Sequence, residues 1–140
     1  MPFKILVIDD DVAMTELFSM LLQTHGFEVF VANNGSEGLN VMHTKKPQAV
    51  ILDLMMPDMD GRMVCRAIRD FSNVPILILS ALDDPELVAS VLDSGADDYL
   101  VKPVTSGMLI ARINRILKRT GGLILPSEPP TSPLRASAAT

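Results

Sequence analysis

Six polar residues stand at the ends of short apolar runs. Asp9, Asp10 and Asp11 follow Ile5–Ile8, Asp53 closes Ala49–Leu52, Ser80 follows Ile76–Leu79 and Lys102 follows Tyr99–Val101. Two or three carboxylates gathered within a few ångströms do not all stay ionised unless a cation compensates them. Oxygen donors with no histidine or cysteine nearby favour Mg²⁺ or Mn²⁺ over zinc. Mg²⁺ keeps several waters and needs few carboxylates, so Asp9, Asp10 and Asp53 suffice, with the backbone carbonyl of Met55 as a further oxygen. Each residue taken singly has a plainer reading. An aspartate after a strand is often a helix N-cap, and Asp11, just ahead of a helical pattern, is assigned that role. Alone, Tyr99 reads as a packed strand aromatic and Lys102 as a solvated surface lysine. Only the set of polar strand ends points to a site.

Those residues converge only if the runs that carry them lie side by side. Five runs rich in Ile, Val and Leu are predicted strands: Ile5–Ile8, Val29–Ala32, Ala49–Leu52, Ile76–Leu79 and Tyr99–Val101. Several are continuously apolar, as expected for strands covered on both faces. Between them lie segments with helical spacing. Met14, Leu17, Phe18, Leu21 and Leu22 mark the first, 36–44 the second, Met63, Val64, Ala67, Ile68 and Phe71 the third. Leu87, Val88, Val91 and Leu92 mark the fourth, and Leu109, Ile110, Ile113, Ile116 and Leu117 the fifth. Strict strand–helix alternation predicts an α/β fold, a doubly wound parallel sheet with helices on both faces. In such a sheet ligands bind beyond the carboxyl ends of the strands, where the polar residues stand. Asn33, Asn34 and Gly35 read as turn chemistry after the second strand.

Composition sets the bounds. The 140 residues suffice for one domain with a real core. A net charge of −5 argues against direct nucleic-acid binding by this segment. One cysteine, Cys65, excludes an intrachain disulfide and reads as a small apolar residue of the third helix. The start of the chain lacks a secretory-signal pattern, and no apolar stretch is long enough to span a bilayer. A cytoplasmic protein with no membrane association is the expectation. His25 and His43 sit near helix ends and receive no role. From Gly121 onward the chain holds four of its ten prolines, with Ser, Thr and Ala. Residues 1–120 are therefore expected to form the domain and 121–140 a Pro-rich linker or disordered tail. Leu123–Leu125 is an apolar exception that could dock on a neighbour.

Four motifs occur in order: ILVIDDD from Ile5, LDLMMPDMDG from Leu52, LSA from Leu79 and GADDYLVKP from Gly95. Together they resemble the receiver domain of bacterial two-component response regulators, over about residues 3 to 119. The resemblance implies a flavodoxin-like fold of five strands and five helices, strand order 2-1-3-4-5. It implies that Asp53 is the phosphoacceptor for a sensor histidine kinase, and that Asp9 and Asp10 position Mg²⁺ (or Mn²⁺). Lys102 then pairs with the phosphoryl oxygens, Ser80 is the hydroxyl that turns toward them, and Tyr99 is the aromatic switch that follows. The family's lysine–proline bond is cis, which here is Lys102–Pro103. Such a domain is no enzyme in the ordinary sense, although it catalyses its own phosphorylation and dephosphorylation. Gly61 is expected to permit a backbone conformation that a Cβ would oppose.

GADDY and the fifth helix resemble the subgroup of OmpR/PhoB-type transcription regulators, which implies phosphorylation-dependent homodimers through helix 4, strand 5 and helix 5. Asp97, Asp98 and Arg112 match charged positions of that face. Val88 and Met108 depart from it, being apolar where a basic and an acidic residue are usual. Met55 and Leu82, two residues after the acceptor and two after the switch hydroxyl, offer nothing to orient a water, which implies slow autodephosphorylation. Two other classes are weaker. A haloacid-dehalogenase-type hydrolase needs an acid where Met55 stands, and a pseudo-receiver lacks part of the pocket, all of which is present here.

Overall fold

The computed structural model describes residues 2–119. The predicted tail, including Leu123–Leu125, lies outside the described residues. Strands and helices alternate without exception: β1 (Lys4–Ile8), α1 (Val12–Thr24), β2 (Glu28–Ala32), α2 (Gly35–Lys45), β3 (Ala49–Asp53), α3 (Gly61–Arg69), β4 (Ile76–Ser80), α4 (Pro85–Asp93), β5 (Asp98–Val101) and α5 (Ser106–Arg119). The sheet is parallel throughout, in the order β2-β1-β3-β4-β5. The expected fold class and strand order are what the chain adopts.

Side chains alternate across each strand, so every buried strand feeds two cores. Leu6, Ile8, Val50, Leu52, Ile76 and Ile78 meet Met42, Val64, Ile68 and Val91 on the side of α2, α3 and α4. Ile5, Val7, Ala49, Ile51, Leu77 and Leu79 meet Phe18, Leu22, Leu109, Ile113 and Ile116 on the side of α1 and α5. The continuously apolar runs thus have the physical cause read from sequence: both faces are covered.

Helix starts follow local chemistry. Asp11 caps α1, accepting from the Ala13 and Met14 amides, as expected of it. Asn34, Asp60 and Asp84 cap α2, α3 and α4 by accepting from the Glu37, Arg62 and Glu86 amides. Gly26 and Gly95 take φ of 89° and 119°, turns that a Cβ would strain.

Four details depart from the sequence reading. Gly61 does not have a positive φ. It is needed for space, because a Cβ there would sit 2.9 Å from Leu54 Cα and 3.0 Å from the Asp53 carbonyl oxygen. Phe71 lies beyond the end of α3 and stacks on His43, which receives no role from the sequence, with ring centroids 4.1 Å apart. His25 is likewise engaged, its Nδ1 3.1 Å from the Leu21 carbonyl oxygen. Leu17 and Met63 are exposed, because Thr15 and Cys65 occupy the inward stripe beside Phe18 and Val64.

Candidate functional site

The strand register sets the site. Ile8 pairs with Leu52, so Asp9, one residue on, emerges beside Asp53. Asp53 pairs with Leu79, which puts Ser80 at the same edge. Ser80 pairs with Val101, and Lys102 follows. Four strand ends therefore deliver their polar residues to one depression.

Asp9, Asp53 and Ser80 are buried, at 3%, 7% and 1% exposure, while Asp10 faces solvent. Carboxylate oxygens of Asp9, Asp10 and Asp53 all lie within 4.8 Å of one another. Lys102 Nζ is 3.4 Å from Asp53 Oδ1 and 3.8 Å from Asp9 Oδ2. The Lys102–Pro103 peptide bond is cis. The Asp11 amide donates to Asp9 Oδ1 at 2.9 Å, which orients that carboxylate while Asp11's own side chain serves α1.

One lysine does not balance this much negative charge. Burial first, and then the charge of Asp9, push Asp53 up to about 6, although Lys102 pulls the other way. Burial also raises Asp9. The donor set is all oxygen, partly desolvated and over-negative, so it fits a divalent hard cation such as Mg²⁺ or Mn²⁺.

The predicted switch residues meet at one point. Ser80 Oγ accepts from the Leu82 amide at 3.1 Å, and Tyr99 Oη donates to the Leu82 carbonyl at 2.7 Å. The Tyr99 ring is turned inward. Met55 and the Leu82 side chain are exposed at 58% and 41%. The exposed Leu17 joins Met14, Phe18, Ala81, Pro103 and Val104 around an apolar groove of about 460 Å³ that reaches Lys102.

A sequence profile of the response regulator receiver domain matches residues 5–114. This chain belongs to the response regulator receiver family. Response regulator MprA of Mycobacterium sp. strain KMS is 43% identical over 134 residues, 95% of this chain and 56% of that protein. DNA-binding response regulator MtrA of Mycobacterium leprae is 41% identical over 116 residues, 83% of this chain and 52% of that protein. The chain thus spans about half the length of the curated relatives it matches. A two-component response regulator from Clostridium difficile superposes with a TM-score of 0.82 at 29% identity, over 86% of this chain and 99% of that one. Among the described residues of this receiver, no helix is long and apolar enough to cross a membrane.

The structure also brings in two residues given no site role from the sequence, Asn33 and, within the second motif, Asp58. Asn33 Nδ2 donates to the Asp9 carbonyl, and Asp58 accepts from the Gly35 amide. From the sequence Asn33 reads only as turn chemistry, because nothing local shows that its side chain crosses to another loop.

The raised Asp53 carries a stability consequence with a definite sign. Its folded value lies above the unfolded 3.8, so the folded receiver prefers the protonated form. The penalty is full above about pH 6 and is relieved as pH falls toward 4. In metal-free buffer the Tm of wild type should rise between pH 7.5 and 5.5 by calorimetry. Asp53→Asn should stabilise at pH 7.5 by on the order of 1–2 kcal/mol and flatten that trend. Mg²⁺ should raise Tm at pH 7.5 in wild type and not in Asp9→Asn. A wild-type Tm that falls as the pH drops from 7.5 to 5.5 would contradict this account of the pocket.

Proposed function

We propose that this receiver accepts a phosphoryl group on Asp53 from a sensor histidine kinase in the cytoplasm, in a Mg²⁺-dependent reaction. The observation that carries the reading is one buried carboxylate facing both an acidic pair and a lysine at adjacent strand ends. An Asp53 oxygen attacks phosphorus, an O–P bond forms, and the P–N bond to the donor imidazole breaks. Lys102 neutralises charge on the transferring oxygens. Asp9 and Asp10, with Asp53 and the Met55 carbonyl, would hold the cation, which supplies further charge neutralisation when bound. The same groups support self-phosphorylation from small phosphodonors and self-dephosphorylation.

The phosphoryl group brings about −1.5 to −2 charge and new acceptors into the pocket. Ser80 Oγ accepts from the Leu82 amide and keeps its own proton to donate, so turning that hydroxyl toward the phosphoryl group would disturb its contact with Leu82, whose carbonyl Tyr99 holds. Residue 82 precedes α4, so a change there reaches the α4–β5–α5 face. We assign residues 1–120 to the switching domain and 121–140 to a Pro-rich linker or tail.

Incubation with acetyl phosphate and Mg²⁺ should add one phosphoryl group by intact mass. Asp53→Ala should abolish the gain, and an unmodified wild-type chain would reject the reading.

Met55 and Leu82, two residues after Asp53 and after Ser80, carry exposed apolar side chains that offer nothing to orient an attacking water, so hydrolysis of the phosphorylated form should be slow. Met55→Asn with Leu82→Glu should shorten its lifetime about ten-fold or more; an unchanged lifetime would remove this explanation.

Homodimerisation through α4, β5 and α5 is the proposed response. Asp98 is already paired within the chain with Arg112 at 3.2 Å and Arg115 at 3.1 Å, and Asp97 with Arg69 at 3.0 Å. Leu92 of α4, Val101 of β5 and Met108 of α5 are exposed. An apolar contact is therefore the expected seam between copies. Sedimentation with an acyl-phosphate mimic should show a doubled mass that Met108→Asp prevents; constant mass in wild type would count against the dimer.

A further inference from the structure

The β2–α2 turn gives no oxygen to the acidic cluster, yet it bonds to both loops that do. Asn33 Nδ2 donates to the Asp9 carbonyl at 2.8 Å and to Thr15 Oγ1 at 3.2 Å. Thr15 is fully buried on α1. Asn33 thus fastens the first acidic loop through a ligand residue's backbone and through the helix that follows it.

On the other side of the turn, the Gly35 amide donates to both oxygens of the Asp58 carboxylate, at 3.2 and 3.0 Å. Asp58 belongs to the loop after β3, which also carries Met55. The amide is the first of α2, where free N–H groups and the helix dipole favour a carboxylate. Met59 presses on the same spot, since a Cβ on Gly35 would lie 3.0 Å from Met59 Cβ and Sδ. This loop closes at its base through the Gly61 amide and the Leu54 carbonyl, 2.8 Å apart. That contact fixes its ends and leaves its tip to Asp58.

The turn itself is braced. Asn34 Oδ1 accepts from the Glu37 amide at 2.8 Å, and Glu37 Oε1 accepts from the Asn33 amide at 2.9 Å. This is a reciprocal pair of capping-box type. A rigid turn whose Asn33 side chain reaches one loop and whose Gly35 amide is held by the Asp58 carboxylate of the other can hold the two loops at a set separation.

We propose that Asn33 and Asp58 are positioning residues which, acting through this one turn, set the spacing between the Asp9–Asp10 loop and the Asp53–Met55 loop. The inference rests on the reading of that cluster as a Mg²⁺ and phosphoryl site. Neither side chain touches the reacting atoms: Asn33 bonds the backbone carbonyl of Asp9, and Asp58 bonds the Gly35 amide from the loop that also carries Met55.

The test compares wild type, Asn33→Ala, Asp58→Ala, Asp58→Asn and the double alanine variant. Three measurements are needed: MgCl₂ affinity by calorimetry, acetyl phosphate-driven phosphorylation across Mg²⁺ concentrations, and amide hydrogen exchange without metal. Each alanine variant should weaken Mg²⁺ binding about ten-fold, the usual scale for groups that orient ligands. Its phosphorylation should slow at low Mg²⁺ and recover at saturation. Asp58→Asn keeps an oxygen for the Gly35 amide and should stay near wild type. The double variant should lose less than the product of the singles, because both act on one turn. Without metal, amides at 9–11 should exchange faster in Asn33→Ala, and those at 55–60 in Asp58→Ala.

Lower thermal stability with unchanged Mg²⁺ affinity and unchanged exchange would overturn the clamp. Should one alanine variant fail to fold, the other decides by the same readouts. If wild type itself binds no Mg²⁺ or takes no phosphoryl group, the functional reading fails. The clamp is then judged by metal-free exchange alone: faster exchange in the two loops sustains it, and unchanged exchange rejects it.

Discussion

Two carboxylates buried at neighbouring strand ends repel each other, and much of the architecture serves to keep Asp9 and Asp53 in that position. A parallel sheet covered on both faces supplies the low-dielectric surroundings that raise both groups. The register of β1 against β3 makes their proximity unavoidable. Lys102 relieves part of the repulsion, and its distances of 3.4 and 3.8 Å show that it is shared between them. The remaining imbalance is what a cation, and then a phosphoryl group held by that cation and the lysine, would use. A buried, over-negative cluster of this kind costs folding stability, as charged functional sites commonly do.

Three consecutive aspartates show how backbone direction divides labour among identical side chains. Asp9 continues the line of β1 and is buried. Asp10 turns outward, yet keeps an oxygen within reach of the cluster. Asp11 is spent on α1, where its carboxylate satisfies two orphan amides. Asp60 is similarly committed, held below the usual carboxylate range by the Arg62 guanidinium beside it, while Arg62 reaches on to Ser90 of α4 at 3.2 Å. The loop after β3 is therefore tied to α2 through Asp58 and to α4 through Arg62.

Leu82 is the point where site and surface meet. Its amide and carbonyl are held by Ser80 and Tyr99, from β4 and β5. Any group that draws the Ser80 hydroxyl away changes what Leu82 is bonded to, and α4 begins three residues later. On β5 and α5, Asp98 pairs within the chain with Arg112 and Arg115, and Asp97, just ahead of β5, pairs with Arg69 of α3. Cys65 stays out of this chemistry, since burial raises its thiol well into the protonated state.

What the residues determined by themselves was the alternation of elements, the two-sided burial of the central strands and the polar strand ends, because period and composition are local properties. Asp11 as a cap and the place of Asp9, Asp53, Ser80 and Lys102 were legible for the same reason. The family motifs also carried the strand order, which hydrophobic pattern alone does not specify. Gly61 shows the limit: its need for a bare Cα was readable, but the cause is the Leu54 backbone beside it, not its own φ. The outward turn of Leu17, the stacking of Phe71 on His43, and above all the reach of Asn33 to Asp9 and of Asp58 to Gly35 were decided only in three dimensions. All but the first join residues far apart in the chain, and no local pattern encodes which of several surface-capable side chains will find a partner across a turn.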